Sequence, residues 1–279
     1  MATRTAPSLV VAPDPAAPGL TAAMTARDQA GAEVALSVVE ERPLTIYLNA
    51  REVVTAMTLC DHPRWLATGF LQNQGMLPPE AEVTSVEYDD ELGVVVVRTA
   101  IETDFEAKLA RATRTSGCAV GTVFGDMMEG LEGLTLPPAR LLVSDLMALS
   151  QAINRTPSLY LEAGAIHGTC LCRGPDPLAY FEDVGRHNAV DKLAGWMRAT
   201  GTAPGDKTLY TTGRLTSEMV IKCALMGIPA LVSRSGFTAW GVRIAREVGL
   251  TVVGRLKGAR FLCVAGEERL VRDHEEASA

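Results

Sequence analysis

Residues 208–255 read TLYTTGRLTSEMVIKCALMGIPALVSRSGFTAWGVRIAREVGLTVVGR, and this stretch decides the fold class. Short β-rich runs at 208–212, 229–233 and 251–255 alternate with helical patterns at 216–226 and 238–248. Strands that alternate with helices in this way are typical of α/β layer architectures. The sequence therefore predicts an α/β domain, which a strand near 178–182, a helix near 186–199 and a strand at 260–264 extend in both directions.

The remainder of the chain divides into smaller units. Residues 44–48 with 53–59, and 81–88 with 94–99, predict two hairpins, and between them lies a helix that ends at Gly75. We expect a small α+β unit over 37–103, an irregular region over 104–140 and the α/β domain over 141–266. A helix from Ser144 to Asn154 opens that domain, and the Ser144 hydroxyl is expected to cap its first turn.

The two ends of the chain carry little periodic apolar sequence. Residues 1–36 are rich in Ala, Pro and Thr, which predicts a disordered tail that can be deleted without loss of the fold. Residues 267–279 are predicted to be a polar, solvated tail.

Charge and cysteine usage argue against several classes of protein. The chain has 26 Lys and Arg against 33 Asp and Glu, a net charge of −7, which argues against broad binding to nucleic acid or anionic lipid. Without a membrane-length apolar run or a signal-peptide core, we expect a cytoplasmic protein. The six cysteines then fit a reducing compartment, and their spacing predicts no structural metal.

Three predicted strand-to-helix junctions share one chemical character. Each places glycine, an arginine and small polar residues where a helix begins: 182–188 (EDVGRHN), 212–218 (TGRLTSE) and 233–238 (SRSGFT). Such residues most often only cap a helix. Three such junctions in consecutive βα units indicate a ligand site, because the carboxyl ends of the strands line the ligand crevice of an open α/β sheet. Free N–H groups and guanidinium groups at that edge would suit a polyphosphate.

Other phosphate-binding motifs do not occur. The sequence lacks a Gly-x-x-x-x-Gly-Lys-Ser/Thr loop and lacks Gly-x-Gly-x-x-Gly after a strand, which disfavours ordinary NTP hydrolysis and nicotinamide chemistry. Asp183 beside Arg186, and Glu218 near Arg214, could form structural pairs or bind a guanine edge or a ribose hydroxyl.

Cys118 is the cysteine whose surroundings best suit reactivity. It lies between Gly117 and Gly121 in a polar, irregular stretch, and Arg111 and Arg114 could favour its thiolate. Cys223 instead lies on an apolar helix and is predicted to fill the core.

A histidine flanked by glycines lies at a predicted strand. His167 follows Gly164 by three residues, and Cys170 and Cys172 follow it at strand spacing, so the two thiols should share a face. A buried pair and a reactive pair both remain open.

With these segments placed, the chain resembles the formate dehydrogenase accessory sulfurtransferase family, FdhD, from about Pro43 to Val264. The resemblance rests mainly on 182–192 (EDVGRHNAVDK), with further support from 212–220, 227–229, 69–75 and 164–167. It implies a cytidine-deaminase-like α/β domain without the deaminase zinc site, in a homodimer. It also implies a molybdenum or tungsten bis-pterin guanine dinucleotide as the bound substrate, for which GDP is a mimic.

The resemblance also assigns the family's activity to particular residues of this sequence. The resemblance implies that Cys118 carries persulfide sulfur from a cysteine desulfurase to the cofactor needed by formate dehydrogenase. The cofactor-binding residues expected from the junctions and the family blocks are Gly164, His167, Asp183, Gly185, Arg186, His187, Asn188, Gly213, Arg214, Ser217, Glu218, Ser233, Ser235 and Thr238. One departure bears on the mechanism: Gly121 stands where the family commonly has a second loop cysteine.

Two other functions compete with sulfur transfer. A cofactor-binding chaperone would hold the same substrate without moving sulfur, and the reactivity of Cys118 distinguishes the two. A deaminase-like hydrolase is weakened because the sequence lacks the histidine and cysteine ligands of that zinc site.

Overall fold

The computed structural model describes residues 9–78, 81–100, 113–114, 121–122 and 124–273. Within these ranges no helix is long and apolar enough to cross a membrane. The predicted sulfur carrier, Cys118, lies outside the described residues.

The described residues form strands, helices and one 3₁₀ turn. The strands are β1 Val10–Ala12, β2 Thr21–Arg27, β3 Glu33–Val39, β4 Arg42–Leu48, β5 Arg51–Thr58, β6 Val83–Asp89, β7 Val94–Thr99, β8 Thr113–Arg114, β9 Gly121–Thr122, β10 Leu141–Leu142, β11 His167–Arg173, β12 Asp176–Asp183, β13 Thr208–Thr211, β14 Ala230–Ser233, β15 Thr251–Lys257, β16 Arg260–Ala265 and β17 Leu270–Val271. The helices are α1 Pro63–Asn73, α2 Phe124–Glu129, α3 Val143–Asn154, α4 Tyr160–Ala163, α5 Arg186–Thr200, α6 Ser217–Leu225 and α7 Ala239–Glu247, and a 3₁₀ turn spans Glu267–Arg269.

A seven-stranded mixed sheet forms the centre of the molecule, in the order β1-β12-β11-β13-β14-β15-β16. Strands β1, β12, β13, β14 and β15 run in one direction, and β11 and β16 run in the other. The carboxyl ends of the five strands therefore share an edge with the amino end of β11. We call this the carboxyl edge.

Both faces of this sheet are covered, which explains the short, continuously apolar strands. On one face Leu171, Phe181 and Leu231 pack in a cluster with residues of α5, α6 and α7. On the other face Tyr210 and Val232 pack against α3. Burying both faces stabilises the sheet through the hydrophobic effect. The α/β prediction is confirmed at this level, and the cytidine-deaminase-like detail remains a prediction.

The small unit upstream has its own sheet and its own core. Strands β5-β4-β7-β6 form a four-stranded sheet, in which both predicted hairpins are present. Helix α1 packs on it through Leu66 and Leu71 and ends before Gly75, whose φ is +69°.

Helix α1 also lies against α5, and two glycines make this contact possible. A Cβ on Gly69 would lie 1.8 Å from the Asp191 carbonyl oxygen, and one on Gly195 would lie 1.9 Å from the Trp65 carbonyl oxygen. The two helix backbones therefore touch directly, which joins the small unit to the main sheet.

The prediction of a disordered tail over 1–36 is wrong for the part that the structure describes. Val10–Ala12 pair in parallel with Ala179–Phe181 and extend the main sheet, and Ala12 is buried. Residues 21–39 form the antiparallel β2–β3 hairpin. Backbone pairing with the exposed edge of β12 orders a segment whose composition alone indicated disorder.

Two expectations near the other end of the chain are also corrected. The tail predicted from 267 contains the 3₁₀ turn and β17, which pairs with β10. Ser144 does not cap α3, because Leu142 occupies the N-cap position. The Asp273 carboxylate instead accepts hydrogen bonds from the Ser144 amide, at 3.1 Å, and from its hydroxyl.

Candidate functional site

The three predicted junctions meet at the carboxyl edge. Asp183 ends β12, Thr211 ends β13 and Ser233 ends β14, while His167 begins the antiparallel strand between β12 and β13. Parallel strands that end side by side place their following turns in one crevice. The structure thus brings together residues that are up to 71 positions apart (167 to 238).

Hydrogen bonds tie the second junction to the third. The Ser233 hydroxyl donates to the Gly213 carbonyl at 2.7 Å and accepts from the Ser235 amide at 2.9 Å. Leu215 donates to the Gly236 carbonyl and accepts from the Thr238 amide. Ser233 is fully buried, so it braces the two turns, while Ser235 is only partly buried.

The first and second junctions touch through a glycine and an arginine. A Cβ on Gly213 would lie 2.7 Å from Cδ of Arg186, so a larger residue would displace this side chain. Gly213 therefore lets the Arg186 side chain cross the edge of the sheet beside the second junction.

His167 begins β11, between the ends of β12 and β13, and so lies beside the first and second junctions. Burial lowers the pKa of His167, and the charges of Arg186, Arg234 and Arg214 lower it further. The imidazole is half-buried, and its Nδ1 lies 3.3 Å from the Thr212 hydroxyl. A protein of net charge −7 thus has a local basic site, which an anion would stabilise.

His187 is a buried, uncharged side chain that lies between the first two junctions. It is 3 % exposed, and burial, followed by the charges of Lys222 and Arg186, lowers its pKa to about 2. Its Nε2 lies 3.4 Å from a Glu218 carboxylate oxygen. Neither ring nitrogen hydrogen-bonds within the described part of the chain, and the buried Thr216 hydroxyl also lacks a partner there. Such groups fit a site that accepts a polar ligand.

Asp183 and Asn188 support the crevice from below. The Asp183 carboxylate is fully buried, lies 2.8 Å from Nζ of Lys192 and accepts from Thr58 at 2.6 Å and from Asn188 at 3.1 Å. A structural pair with Arg186 is one of the two interpretations of Asp183 that the sequence leaves open, and the structure pairs Asp183 with Lys192 instead. Both carboxylate oxygens are occupied, so Asp183 orders the Val184–Gly185 turn that precedes α5.

Lys192 connects this turn to the small unit. It is fully buried and also contacts the Asp61 carboxylate at 2.5 Å, and Asp61 in turn contacts Nδ1 of His62 at 2.8 Å. Burial opposes ionisation of both groups, but the charges of Asp183 and Asp61 raise the pKa of Lys192, and the charge of Lys192 lowers the pKa of Asp61. The sequence does not reveal this network, because Lys192 and Asp61 lie 131 residues apart.

The remaining predicted residues lie at the ends of helices. Gly185 and Thr238 precede α5 and α7, and the Thr238 hydroxyl accepts from the Gly241 amide at 3.2 Å, so here the residue is a helix cap. Ser217 begins α6 and Gly164, at φ +65°, ends α4. Ala165, next to it, also has a positive φ of 41°, a conformation that favours glycine.

Cys170 and Cys172 lie away from the crevice. Both are fully buried in the cluster under α3 and share a face, as their spacing predicted. Burial raises the pKa of the Cys172 thiol well above its ordinary value. The geometry therefore supports the interpretation of a buried pair. All five cysteines in the described ranges are free.

Two cavities open at the carboxyl edge on the α3 side. The larger, of about 420 Å³, is lined by Ser150, Asn154, Tyr210, Thr212, Arg234, Ser235, Leu256, Lys257 and Gly258. The smaller, of about 90 Å³, shares Asn154, Thr212 and Arg234 with it. Within the described ranges no group of three His, Cys, Asp or Glu side chains could hold a metal ion.

These features define a class: a mixed α/β protein with a basic crevice at the carboxyl edge of its main sheet. The sequence profile of the FdhD/NarQ family matches residues 39–271. A sulfur carrier protein FdhD of Listeria innocua is 29% identical over 242 residues, which cover 85% of this chain and 93% of the relative. The Wolinella succinogenes protein of the same name is 30% identical over 227 residues, covering 80% of this chain and 79% of its own.

A solved structure supports the same relationship. A formate dehydrogenase accessory protein from Desulfotalea psychrophila superposes with a TM-score of 0.71 at 28% identity, over 90% of this chain and 98% of that one. The chain belongs to the FdhD/NarQ family. The recognition made from the sequence motifs is therefore confirmed.

Proposed function

We propose that this chain is a sulfur carrier that supports the maturation of a formate dehydrogenase. Its substrate is a molybdenum or tungsten bis-pterin guanine dinucleotide, which the chain holds while sulfur passes to the metal. The names of the similar proteins support the sulfur-carrier role and the link to formate dehydrogenase. The cysteine desulfurase as donor, the homodimer, the cytoplasmic location and the cytidine-deaminase-like relationship belong to the same proposal.

The meeting of three arginine-bearing junctions at the carboxyl edge, with the Arg186 side chain packed against Gly213, is the observation that carries the proposal. A bis-pterin guanine dinucleotide has two diphosphate groups, and guanidinium groups bind phosphate oxygens through paired, charge-assisted hydrogen bonds. The N-termini of α5 and α6 add backbone N–H groups and a favourable dipole. Neutral His167 can donate or accept without adding to the positive charge.

The sulfur step is proposed for Cys118. Its thiolate attacks the outer sulfur of the desulfurase persulfide, the donor's S–S bond breaks, and the donor leaves as a thiolate, so no net oxidation occurs. Delivery to the metal then breaks the Cys118 persulfide bond and forms a metal–sulfur bond. The reduced metal supplies the two electrons, and Cys118 is released as a thiolate.

Binding of GDP to single-site variants tests the crevice. Arg214→Ala removes a charged donor and should weaken binding by roughly 1.5–3 kcal/mol, because charge-assisted hydrogen bonds contribute about that much. Arg186→Ala should have a similar effect. Calorimetry that finds wild-type affinity in both variants would exclude these arginines from the site.

A cofactor-binding chaperone is the second candidate, and one sequence feature favours it. Gly121 replaces the second loop cysteine that the family commonly has, which leaves Cys118 without a neighbouring thiol. Cys118→Ser separates the two functions: it should retain GDP binding in both, but only the chaperone would still activate the client dehydrogenase.

A further inference from the structure

The β2–β3 hairpin has one face that is apolar throughout. Residues that pair across the two strands, such as Met24 and Leu36, share a face, and so do alternate residues along each strand. None of the side chains on this face is charged or has a nitrogen or oxygen atom. We call it the hairpin face, and its residues are Ala22, Met24, Ala26, Val34, Leu36 and Val38.

The hairpin face is turned away from α4, against which the opposite face of the hairpin lies. On that opposite face the Thr21 and Ser37 hydroxyl groups donate to a Glu162 carboxylate oxygen at 3.4 Å and 3.2 Å. A sheet normally covers its apolar face and exposes its polar one, and this hairpin does the reverse. A two-stranded ribbon also needs a second layer to be stable, so we expect the hairpin face to be covered by a partner. Its large side chains are exposed: Met24 by 55 %, Val34 by 43 % and Leu36 by 37 %.

The hairpin lies beside the crevice, because α4 joins the two. Just before α4, the Leu159 amide donates to the Glu182 carboxylate of the first junction at 2.7 Å. On α4, the ring of Tyr160 lies 5.5 Å from the guanidinium of Arg234, in the third junction. Tyr160 and Leu161 are themselves 46 % and 73 % exposed, which adds apolar surface on α4. A protein that docks on the hairpin face therefore lies next to the bound substrate.

The size and chemistry of the hairpin face favour a partner that binds transiently. Strands of seven residues give a face roughly 24 Å long and 10 Å wide, about 240 Å². Each partner in a stable complex buries roughly 800 Å², so this face alone is too small to hold a second copy permanently. Without cations it also gives an anionic lipid surface no electrostatic attraction. A protein that presents an apolar patch, and then leaves, fits both properties.

We propose that the hairpin face is the surface on which the client dehydrogenase docks to receive the cofactor, through an uncharged apolar patch of its own. The inference rests on the proposed function, which requires the cofactor in the crevice to pass to a client protein. Burial of Met24, Val34 and Leu36 stabilises the contact through the hydrophobic effect. The small area allows the dehydrogenase to leave after the transfer.

Binding of formate dehydrogenase, purified without its cofactor from the same organism, to the immobilised full chain tests this assignment. Leu36→Lys should weaken binding by at least about 10-fold, because the contact would desolvate its ammonium group. Met24→Lys, directly opposite on the same face, should repeat the loss. Ala35→Lys is the matched control, because this neighbouring residue is exposed on the opposite face and receives the same charge. It should bind the dehydrogenase as wild type does.

Two further measurements separate this proposal from the function on which it rests. GDP affinity and urea unfolding should be unchanged in Leu36→Lys, because the residue lies outside the crevice and is exposed at the surface. Wild-type affinity of both lysine variants for the dehydrogenase, or a wild-type chain that binds GDP but not the dehydrogenase, would overturn the docking surface and leave the proposed function intact.

Light scattering identifies the other occupant that the hairpin face could have. If Leu36→Lys converted a dimer to a monomer and Ala35→Lys did not, a second copy would occupy the face and the proposal would be wrong. An oligomeric state that neither variant changes supports the dehydrogenase. A wild-type chain that binds neither GDP nor the dehydrogenase would overturn the proposed function together with this inference.

Discussion

At the scale of single residues, the crevice depends on groups that are buried beneath it. Lys192 has its charge between Asp183 and Asp61, and Asp183 in turn orders the turn that presents Arg186. A buried ion pair is costly to break, because the remaining charge stays desolvated. Arg186, which is proposed to contact the ligand, and Asp183 and Lys192, which hold the crevice in shape, are therefore different residues of one sequence motif, 182–192.

His187 should make the stability of the protein depend on pH. Its folded-state pKa is about 2, against an ordinary value of 6.5, so between these values the unfolded chain binds a proton that the folded chain does not. The contribution of His187 to the free energy of unfolding therefore rises with pH across this window and falls as the pH drops below about 6.5. The contribution of one residue is at most about 1.4 kcal/mol per pH unit.

Urea unfolding of wild type and His187→Gln at about pH 7.5 and about pH 5.5 measures this contribution. The wild type should lose more stability between the two conditions than the variant, because glutamine does not titrate. Equal losses would show that His187 is accessible to protons in the folded state.

At the scale of elements, the α1–α5 contact joins the small unit to the main sheet. Gly195→Ala should lower the free energy of unfolding by about 1–3 kcal/mol, because the added methyl group would overlap the Trp65 carbonyl and force the helices apart. Thermal or urea unfolding measures the change.

Gly236→Ala is the matched control for that substitution. A Cβ there meets no atom within 4 Å, and its backbone does not adopt a positive φ. Its stability should therefore match wild type or exceed it slightly, since alanine restricts the unfolded chain. If the Gly195→Ala variant were as stable as wild type, helices α1 and α5 would not be in close contact.

The elements that periodicity defines could be predicted from sequence, and those that depend on distant partners could not. Helices α5, α6 and α7 and the strands between them lie within a few residues of their predicted bounds, because each buries a continuous apolar run or stripe. Strand β1 has only three residues beside Pro13, and what orders it is the edge of β12, whose paired residues lie 169 positions away. No local pattern contains that information.

At the scale of the whole molecule, the candidate site also combines residues that a local pattern predicts with residues that only the fold brings together. The three junctions could be found because glycine, arginine and small polar residues recur where helices begin. Asn154, Tyr210 and Lys257, which line the larger cavity, could not be found in this way, because only the fold brings α3, β13 and β15 to one edge. The Lys192–Asp61 pair was missed for the same reason.

Because β1 is part of the main sheet, the prediction that residues 1–36 can be deleted without loss of the fold is replaced by the opposite prediction for β1. Removal of residues 1–12 should lower the free energy of unfolding by about 2–4 kcal/mol, because it uncovers the edge of β12 and the apolar contacts of Val10 and Ala12. A truncation that begins at residue 9 and keeps the strand is the control in the same urea unfolding experiment. Two truncated proteins of equal stability would show that β1 adds nothing to the sheet.

The central claim is that Cys118 carries sulfur for a cofactor held in the crevice, and mass spectrometry tests it most directly. The protein is incubated with a cysteine desulfurase and free cysteine, digested without reductant, and its peptides are weighed. The account predicts one added sulfur atom on the peptide that contains Cys118, and none in the Cys118→Ser variant. An unmodified Cys118 beside an active desulfurase, or sulfur found on another cysteine, would contradict it.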